Sequence, residues 1–167
     1  MKGLQMELTG LSAVAFGVAT AGALVLTPAV RWLAFRLRIL DEPDGLRKLH
    51  EQPVPALGGL AVYLALFGTL LLLGALHGST WNGALAQLRP WWAIATAATI
   101  ICAAGILDDI VDLRAMTKIL SQFAVAAVLY AGGIKIQRIE LLGMTWDLGW
   151  GAFPFTVFWM LGSMNSL

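Results

Sequence analysis

Five stretches of this 167-residue chain contain no Asp, Glu, Lys or Arg: residues 8–30, 57–76, 90–107, 119–134 and 148–167. No other feature restricts the fold as strongly. A helix needs about 20 apolar residues to cross a bilayer core, and lipid admits only backbones that satisfy their own hydrogen bonds. The runs therefore predict an all-α, polytopic membrane protein. About five transmembrane helices are expected, near residues 8–30, 57–76, 90–107, 118–135 and 148–167, in a single membrane domain over 1–167. The fourth run is the shortest. Its 16 residues reach about 24 Å as a helix, so Lys118 and Lys135 are expected to snorkel to the interface.

Composition supports the same class. Charged residues make up 13% of the chain, against about 25% in soluble domains. That is too little polar surface to cover a water-soluble globule, which argues against a soluble enzyme, a nucleic-acid-binding domain and a disordered chain. A formal net charge of +1 gives no reason to expect a nucleic-acid partner. The single cysteine, Cys102, cannot form an intrachain disulfide. Seven Trp and seven Phe suit a protein whose ends sit in aromatic belts.

The first run is too long for a signal-peptide core of about 7–15 residues and reads as a retained helix. Thr27-Pro28 predicts a kink near its end. Orientation follows from basic residues in alternate loops. Arg31, Arg36, Arg38, Arg47, Lys48, Arg114 and Lys118 fall on one side, against Lys2, Arg89, Lys135 and Arg138 on the other. The bias predicts cytoplasmic first and third loops and an outside N-terminus. Residues 77–89 read as an exposed turn region. Residues 136–150 partly alternate around Gly143, through Ile139, Leu141, Met144, Trp146 and Leu148. That pattern predicts a short β-hairpin at the outer interface.

Two loops carry the chemistry. In the first, Pro43 and Gly45 make a turn. Arg47, Lys48 and His50 then present three cationic groups suited to phosphate oxygens. The plain alternative is a positive-inside anchor. Gly58-Gly59 opens the next span, where a missing Cβ would permit close backbone approach. The second cluster, Asp108-Asp109-Ile110-Val111-Asp112, closes the third apolar run. Carboxylates are costly at membrane depth and disfavoured at a helix C-terminus. A Mg²⁺ ion shared with substrate phosphates, or a nearby lysine, would offset that cost. If the helix continues, Asp108 and Asp112 share a face; the alternative is a solvated helix end with Asp112 as a turn or cap residue. Lys118 and Gln122 are spaced to share a face of the fourth span, although a lone Lys118 reads as an anchor. Asn165, polar in an apolar run, could bond between helices.

Taken together, these clusters resemble glycosyltransferase family 4, the polyprenyl-phosphate N-acetylhexosamine-1-phosphate transferases. The first loop is similar to that family's D-x-P…R-K-x-H…P-x-P-x-x-G-G stretch through Asp41, Pro43, Arg47, Lys48, His50, Pro53, Pro55, Gly58 and Gly59. The third is similar to its G-x-x-D-D…K-x-x-x-Q block through Gly105, Asp108, Asp109, Lys118 and Gln122. Thr27-Pro28 is a further similarity, and Met164-Asn165-Ser166-Leu167 looks like the start of a T-N-x-x-N-x-x-D-G segment. Two departures are a longer gap between Pro43 and Arg47, and Ala56 where an arginine is common. The first loop looks more like the branch serving teichoic acid, O-antigen and enterobacterial common antigen than the peptidoglycan branch.

The resemblance covers most of the chain from Leu24 onward but only the N-terminal half of a family member. It implies transfer of a sugar 1-phosphate, N-acetylglucosamine 1-phosphate in this branch, from a UDP-N-acetylhexosamine to undecaprenyl phosphate, with release of UMP. Asp108 and Asp109 are the implied catalytic and metal residues, with Mg²⁺ as cofactor and Mn²⁺ as a substitute. Asp108 would deprotonate or orient the lipid phosphate, and Asp109 would lie beside the metal. Arg47, Lys48, His50, Lys118 and Asn165 are the implied substrate-binding residues. The implied setting is the bacterial cytoplasmic membrane, with a second copy of the chain as a candidate partner. Residues 1–167 alone are expected to be inactive. Two alternatives are a membrane prenyltransferase, since Asp108-Asp109-x-x-Asp112 also spells D-D-x-x-D, and a non-catalytic membrane fragment.

Overall fold

The structure, a computed structural model, describes residues 2–41, 53–76, 78 and 90–165, with side chains from Thr9 onward. Its helices are α1 (Lys2–Leu37), α2 (Gly58–Leu76), α3 (Trp91–Val111), α4 (Ala115–Ala131) and α5 (Ala152–Met164). Between them lie two small ladders, β1 (Leu40–Asp41) with β2 (Val54–Pro55), and β3 (Arg138–Leu141) with β4 (Met144–Asp147). The helical membrane architecture stands. Three segments are long and apolar enough to cross a bilayer: Thr9–Leu37, Gly58–Leu76 and Trp91–Val111. The expected fourth and fifth spans are present as shorter helices, of 17 and 13 described residues. The expected turn region at 77–89 lies outside the described residues, apart from Gly78.

Helix ends differ from the ends of the charge-free runs for a physical reason. Lack of charge reports compatibility with lipid, whereas a helix stops where its hydrogen bonding is capped. The α1 helix runs past Val30 and through Pro28 to Leu37. Arg31 lies over the Phe35 ring at 5.8 Å and Arg36 over Trp32 at 5.2 Å, contacts worth about 0.5–1 kcal/mol each at exposed sites. Termination comes at Arg38, which adopts φ 59°. The Arg38 amide bonds Phe35 O at 3.3 Å and the Ile39 amide bonds Ala34 O at 2.9 Å, the two reverse bonds of a Schellman cap. The same pair ends α4. There Gly133 takes φ 94°, its amide bonds Tyr130 O at 2.9 Å, and the Ile134 amide bonds Leu129 O at 2.9 Å. Gly133 is why α4 stops short of the expected residue 135.

The chain divides into two compact units. The first gathers α1, α2, β1, β2 and the last turns of α3 from Gly105 to Asp112. The buried stripe of α2 is Ala61, Ala65, Thr69 and Leu73, one residue per turn and mostly small. A Cβ added to Gly22 of α1 would sit 3.7 Å from the Ala65 Cβ, so small residues set the closeness of this crossing. Val30, Ala34, Leu57 and Ala61 form the core, with Leu26, Ile39, Leu60 and Ile106 packed against it. The β1–β2 ladder pairs Leu40 with Pro55 and Asp41 with Val54, antiparallel. The Ala56 amide extends it to Ile39 O at 3.2 Å.

The second unit holds the beginning of α3 through Ala104, then α4, the hairpin and α5. Phe153 of α5 meets Tyr130 edge-on at 4.9 Å and Phe123 at 6.3 Å. Thr156, fully buried, donates to Ala152 O at 2.6 Å and accepts the Ile136 amide at 2.9 Å, which fastens the strand leading to β3 onto α5. The expected hairpin is present. Leu142 and Gly143 turn it with φ 53° and 77°, the two positive values a type I′ turn requires.

Candidate functional site

Asp108 and Asp109 occupy the last turn of α3, as the sequence places them. Helix geometry points their side chains about 100° apart. Asp109 uses its direction: its Oδ2 accepts the backbone N–H of Leu57 at 2.8 Å. Leu57 immediately precedes α2, so a carboxylate from another helix receives the amide that a capping-box Glu would take from within. The contact also resolves an electrostatic problem. At the C-terminus of its own helix Asp109 meets partial negative charge, and the bond carries it to the positive N-terminus of α2.

Leu57, which the motif reading passed over, is the residue that meets Asp109. Its φ of 70° lies in a region that costs a non-glycine residue about 1–2 kcal/mol. Its side chain is only 3% exposed, within the α1–α2 core. Burying a leucine contributes about 1.5–3 kcal/mol, enough to offset the backbone strain before the Asp109 bond is counted. The signal available in the sequence was an apolar residue wedged between Pro55 and Gly58-Gly59. Those glycines were expected to allow close approach. Among the described residues they do not, because a Cβ on either would meet nothing within 4 Å. They serve as the first two residues of α2.

Arg47, Lys48 and His50 lie outside the described residues. The flanks of their loop are described, and both are anchored in the first unit, through the β1–β2 ladder and through Leu57. Asp112 does not share a helical face with Asp108. It adopts φ 49°, and its amide bonds Asp108 O at 2.9 Å, an αL cap that ends α3. The D-D-x-x-D spacing is thus broken by the end of the helix, and Asp112 is the cap residue of the alternative reading.

In the second unit, Lys118 stands in the first turn of α4, half-buried. Gln122, one turn on, pairs with Asn165: Gln122 Nε2 donates to Asn165 Oδ1 at 3.2 Å, and Asn165 Nδ2 donates to Gln122 Oε1 at 2.7 Å. Asn165 Nδ2 also donates to Leu161 O at 2.8 Å. This is the interhelical bond its apolar setting suggested. Both amide hydrogens of Asn165 are committed, so it has no donor left for a phosphate and keeps only acceptor capacity on Oδ1.

The donor set suits a shared Mg²⁺ ion. Mg²⁺ takes one or two carboxylates and completes its shell with waters and substrate phosphates. Asp108 and Asp109 would be those two, and Asp109 retains acceptor capacity beyond the Leu57 bond. Among the described residues no three His, Cys, Asp or Glu side chains converge on one point, so an all-protein cage is not built there.

Comparison with known proteins adds independent weight. The family model for glycosyl transferase family 4 matches residues 91–167. A probable undecaprenyl-phosphate N-acetylglucosaminyl 1-phosphate transferase of Bacillus subtilis is 34% identical over 156 residues, 92% of this chain and 40% of that protein. A decaprenyl-phosphate N-acetylglucosaminephosphotransferase of Mycobacterium tuberculosis is 32% identical over 130 residues, 78% of this chain and 30% of that protein. A phospho-N-acetylmuramoyl-pentapeptide-transferase of Listeria monocytogenes is 25% identical over 175 residues, 96% of this chain and 51% of that protein. The chain thus spans about half the length, or less, of these relatives. No solved structure matches. The matched region carries Gly105, Asp108, Asp109, Lys118, Gln122 and Asn165, and the chain belongs to glycosyl transferase family 4.

Proposed function

We propose that the whole protein transfers N-acetylglucosamine 1-phosphate from UDP-N-acetylglucosamine to undecaprenyl phosphate, at the cytoplasmic face of a bacterial inner membrane. An oxygen of the lipid phosphate attacks the sugar-bearing phosphorus. The bond from that phosphorus to the bridging oxygen breaks, and UMP leaves with that oxygen. The product is a lipid diphosphate sugar, the starting unit of an envelope glycan. Both reactants are anionic, so the site must first overcome their repulsion. Arg47, Lys48, His50 and Lys118 supply positive charge for this. Asp108 orients the lipid phosphate and takes its proton. Asp108 and Asp109 would hold Mg²⁺, which supplies charge neutralisation of the phosphates when bound. Asn165, left with acceptor capacity, suits a hydroxyl or N–H of the nucleotide sugar rather than a phosphate.

The observation that carries this reading is the Asp109–Leu57 hydrogen bond. It ties the acidic end of α3 to the root of the basic loop, so two motifs separated by 52 residues meet in one unit. The 34% identity to the Bacillus subtilis relative, against 25% to the pentapeptide transferase, favours the N-acetylglucosamine branch. The broken D-D-x-x-D face counts against prenyl transfer. The test is an assay of full-length protein in membranes with Mg²⁺, UDP-N-acetylglucosamine and undecaprenyl phosphate. UMP release that is lost on Asp108→Asn is expected. Diphosphate release from a prenyl diphosphate, with no UMP, would overturn the reading. Residues 1–167 assayed alone are expected to release no UMP, because the relatives they match are longer.

A further inference from the structure

We propose that the β3–β4 hairpin is a bilayer-surface anchor, with one face and its tip set into the headgroup–acyl boundary and the other face left in water. The register divides the hairpin cleanly. Ile139 pairs with Trp146 and Leu141 with Met144, and directly opposed residues lie on one face. Ile139, Leu141, Met144 and Trp146 therefore make an apolar face. Arg138, Glu140, Thr145 and Asp147 make a polar one, closed by an Arg138–Asp147 ion pair at 3.6 Å.

Among the described residues the apolar face is mostly open, with Ile139 alone partly buried. Leu141, Met144 and Trp146 are each more than half exposed, and Leu142 at the tip is 89% exposed. Two strands without a covered face are marginal in water. The tip residue adds an independent indication. Type I′ turns favour Asn or Gly at this position, yet here a leucine accepts φ 53°. A strained, exposed leucine is accounted for when the tip meets hydrocarbon.

Lipid, rather than protein, is favoured by where the hairpin stands. Gly132, at the end of α4, packs on Ala93 and Pro90 at the start of α3 so closely that a Cβ would collide with the Ala93 Cβ. The root of the hairpin and the start of a membrane-spanning helix thus share one end of the second unit. That end carries Trp91 and Trp92, both about half exposed, and the fully exposed Trp150. It also holds Lys135, whose Nζ lies 5.5 Å from the Tyr130 ring. Tryptophan, tyrosine and lysine are the residues of a membrane–water belt. The hairpin leaves the chain at that same end, directly after α4, while its ion-paired face has the polarity of a surface that stays wet.

The experiment uses full-length protein with no other cysteines, reconstituted in vesicles of phosphatidylcholine and phosphatidylglycerol. An NBD label is placed through Leu142→Cys, Leu141→Cys or Glu140→Cys in separate samples. The Leu142 and Leu141 labels should show blue-shifted emission, with several-fold stronger quenching by shallow nitroxide lipids than the Glu140 label. Aqueous iodide should quench in the opposite order. The Leu141 site tests the face independently of any disturbance at the turn. Equal iodide access at all three sites would overturn the proposal in favour of a solvated hairpin. Shielding of Leu141 and Leu142 from both quenchers would overturn it in favour of a protein cover, either a second copy or another segment of the full-length chain.

Discussion

The two antiparallel ladders of this protein are built from opposite resources. The β1–β2 ladder has two residues per strand, and the basic loop separates the two strands in sequence. It holds because its flanks are fixed elsewhere: Arg38 and Ile39 cap α1, while Leu57 is buried and bonded to Asp109. The β3–β4 ladder has four residues per strand and a self-sufficient turn, yet most of its apolar face is exposed. The first takes its order from tertiary packing, and the second from local geometry. A short loop root with little propensity can therefore be the better-anchored element. Its geometry is then coupled to the carboxylates that the proposed chemistry needs.

Substitution at Asp109 should have the largest effect and can break the comparison. Asp109→Asn keeps an oxygen for the Leu57 amide but loses the charge. In full-length protein it should lower turnover by roughly a hundredfold or more, the scale of losing a catalytic electrostatic contact, while the Leu57 amide stays protected from hydrogen exchange. Asp109→Ala should lose both. If Asp109→Asn keeps near-normal turnover, the residue anchors the loop root and takes no part in metal or acid–base work. Leu57→Ala comes next. Losing a leucine from a packed core costs about 2–5 kcal/mol, and here it should lower thermal stability in detergent and loosen the β1–β2 ladder. The equivalent deletion on the other ladder, Leu142→Ala, should leave thermal stability in detergent unchanged.

Smaller effects sharpen the contrast. Gly143→Val forces a β-branched side chain to φ 77°, at a cost of about 1–3 kcal/mol. Faster amide exchange confined to residues 138–147 would mark the hairpin as a local unit. Asn165→Leu removes the pair with Gln122 and should cost about 0.5–2 kcal/mol, the range for hydrogen bonds between membrane helices, read as a lower melting temperature. Arg138→Ala is the smallest. An ion pair whose side chains are 69% and 66% exposed is worth about 0–1 kcal/mol, and the shift should vanish in high salt.

Much of the site was legible in order but not in contact. Asp108, Asp109, Lys118 and Gln122 could be picked out because carboxylates, a lysine and an amide are conspicuous beside apolar runs. The partner of Gln122 was half-legible: Asn165 stood out as polar among apolar neighbours, but nothing in either segment says that the two amides pair. Asp112 could be read as a face-sharing partner of Asp108 or as a cap, and spacing alone does not separate those readings. The backbone at φ 49° does. The end of α4 was readable in principle, since Gly132-Gly133 marks a helix stop, but absence of charge drew the boundary further along.

What the sequence determined by itself was the solvent and the family. Long charge-free runs point to membrane helices, because a helix satisfies its own backbone in lipid and needs about 20 apolar residues to cross it. A set of motifs in fixed order is specific where each alone is weak. What only the tertiary structure decided was where helices stop and which atoms meet. Arg38, Leu57 and Leu142 adopt left-handed backbone without glycine, and no propensity predicts that. The Leu57–Asp109 bond joins residues 52 apart. It forms because α1, α2 and the end of α3 pack around one small core, and that free energy belongs to the assembled surfaces rather than to either segment of sequence.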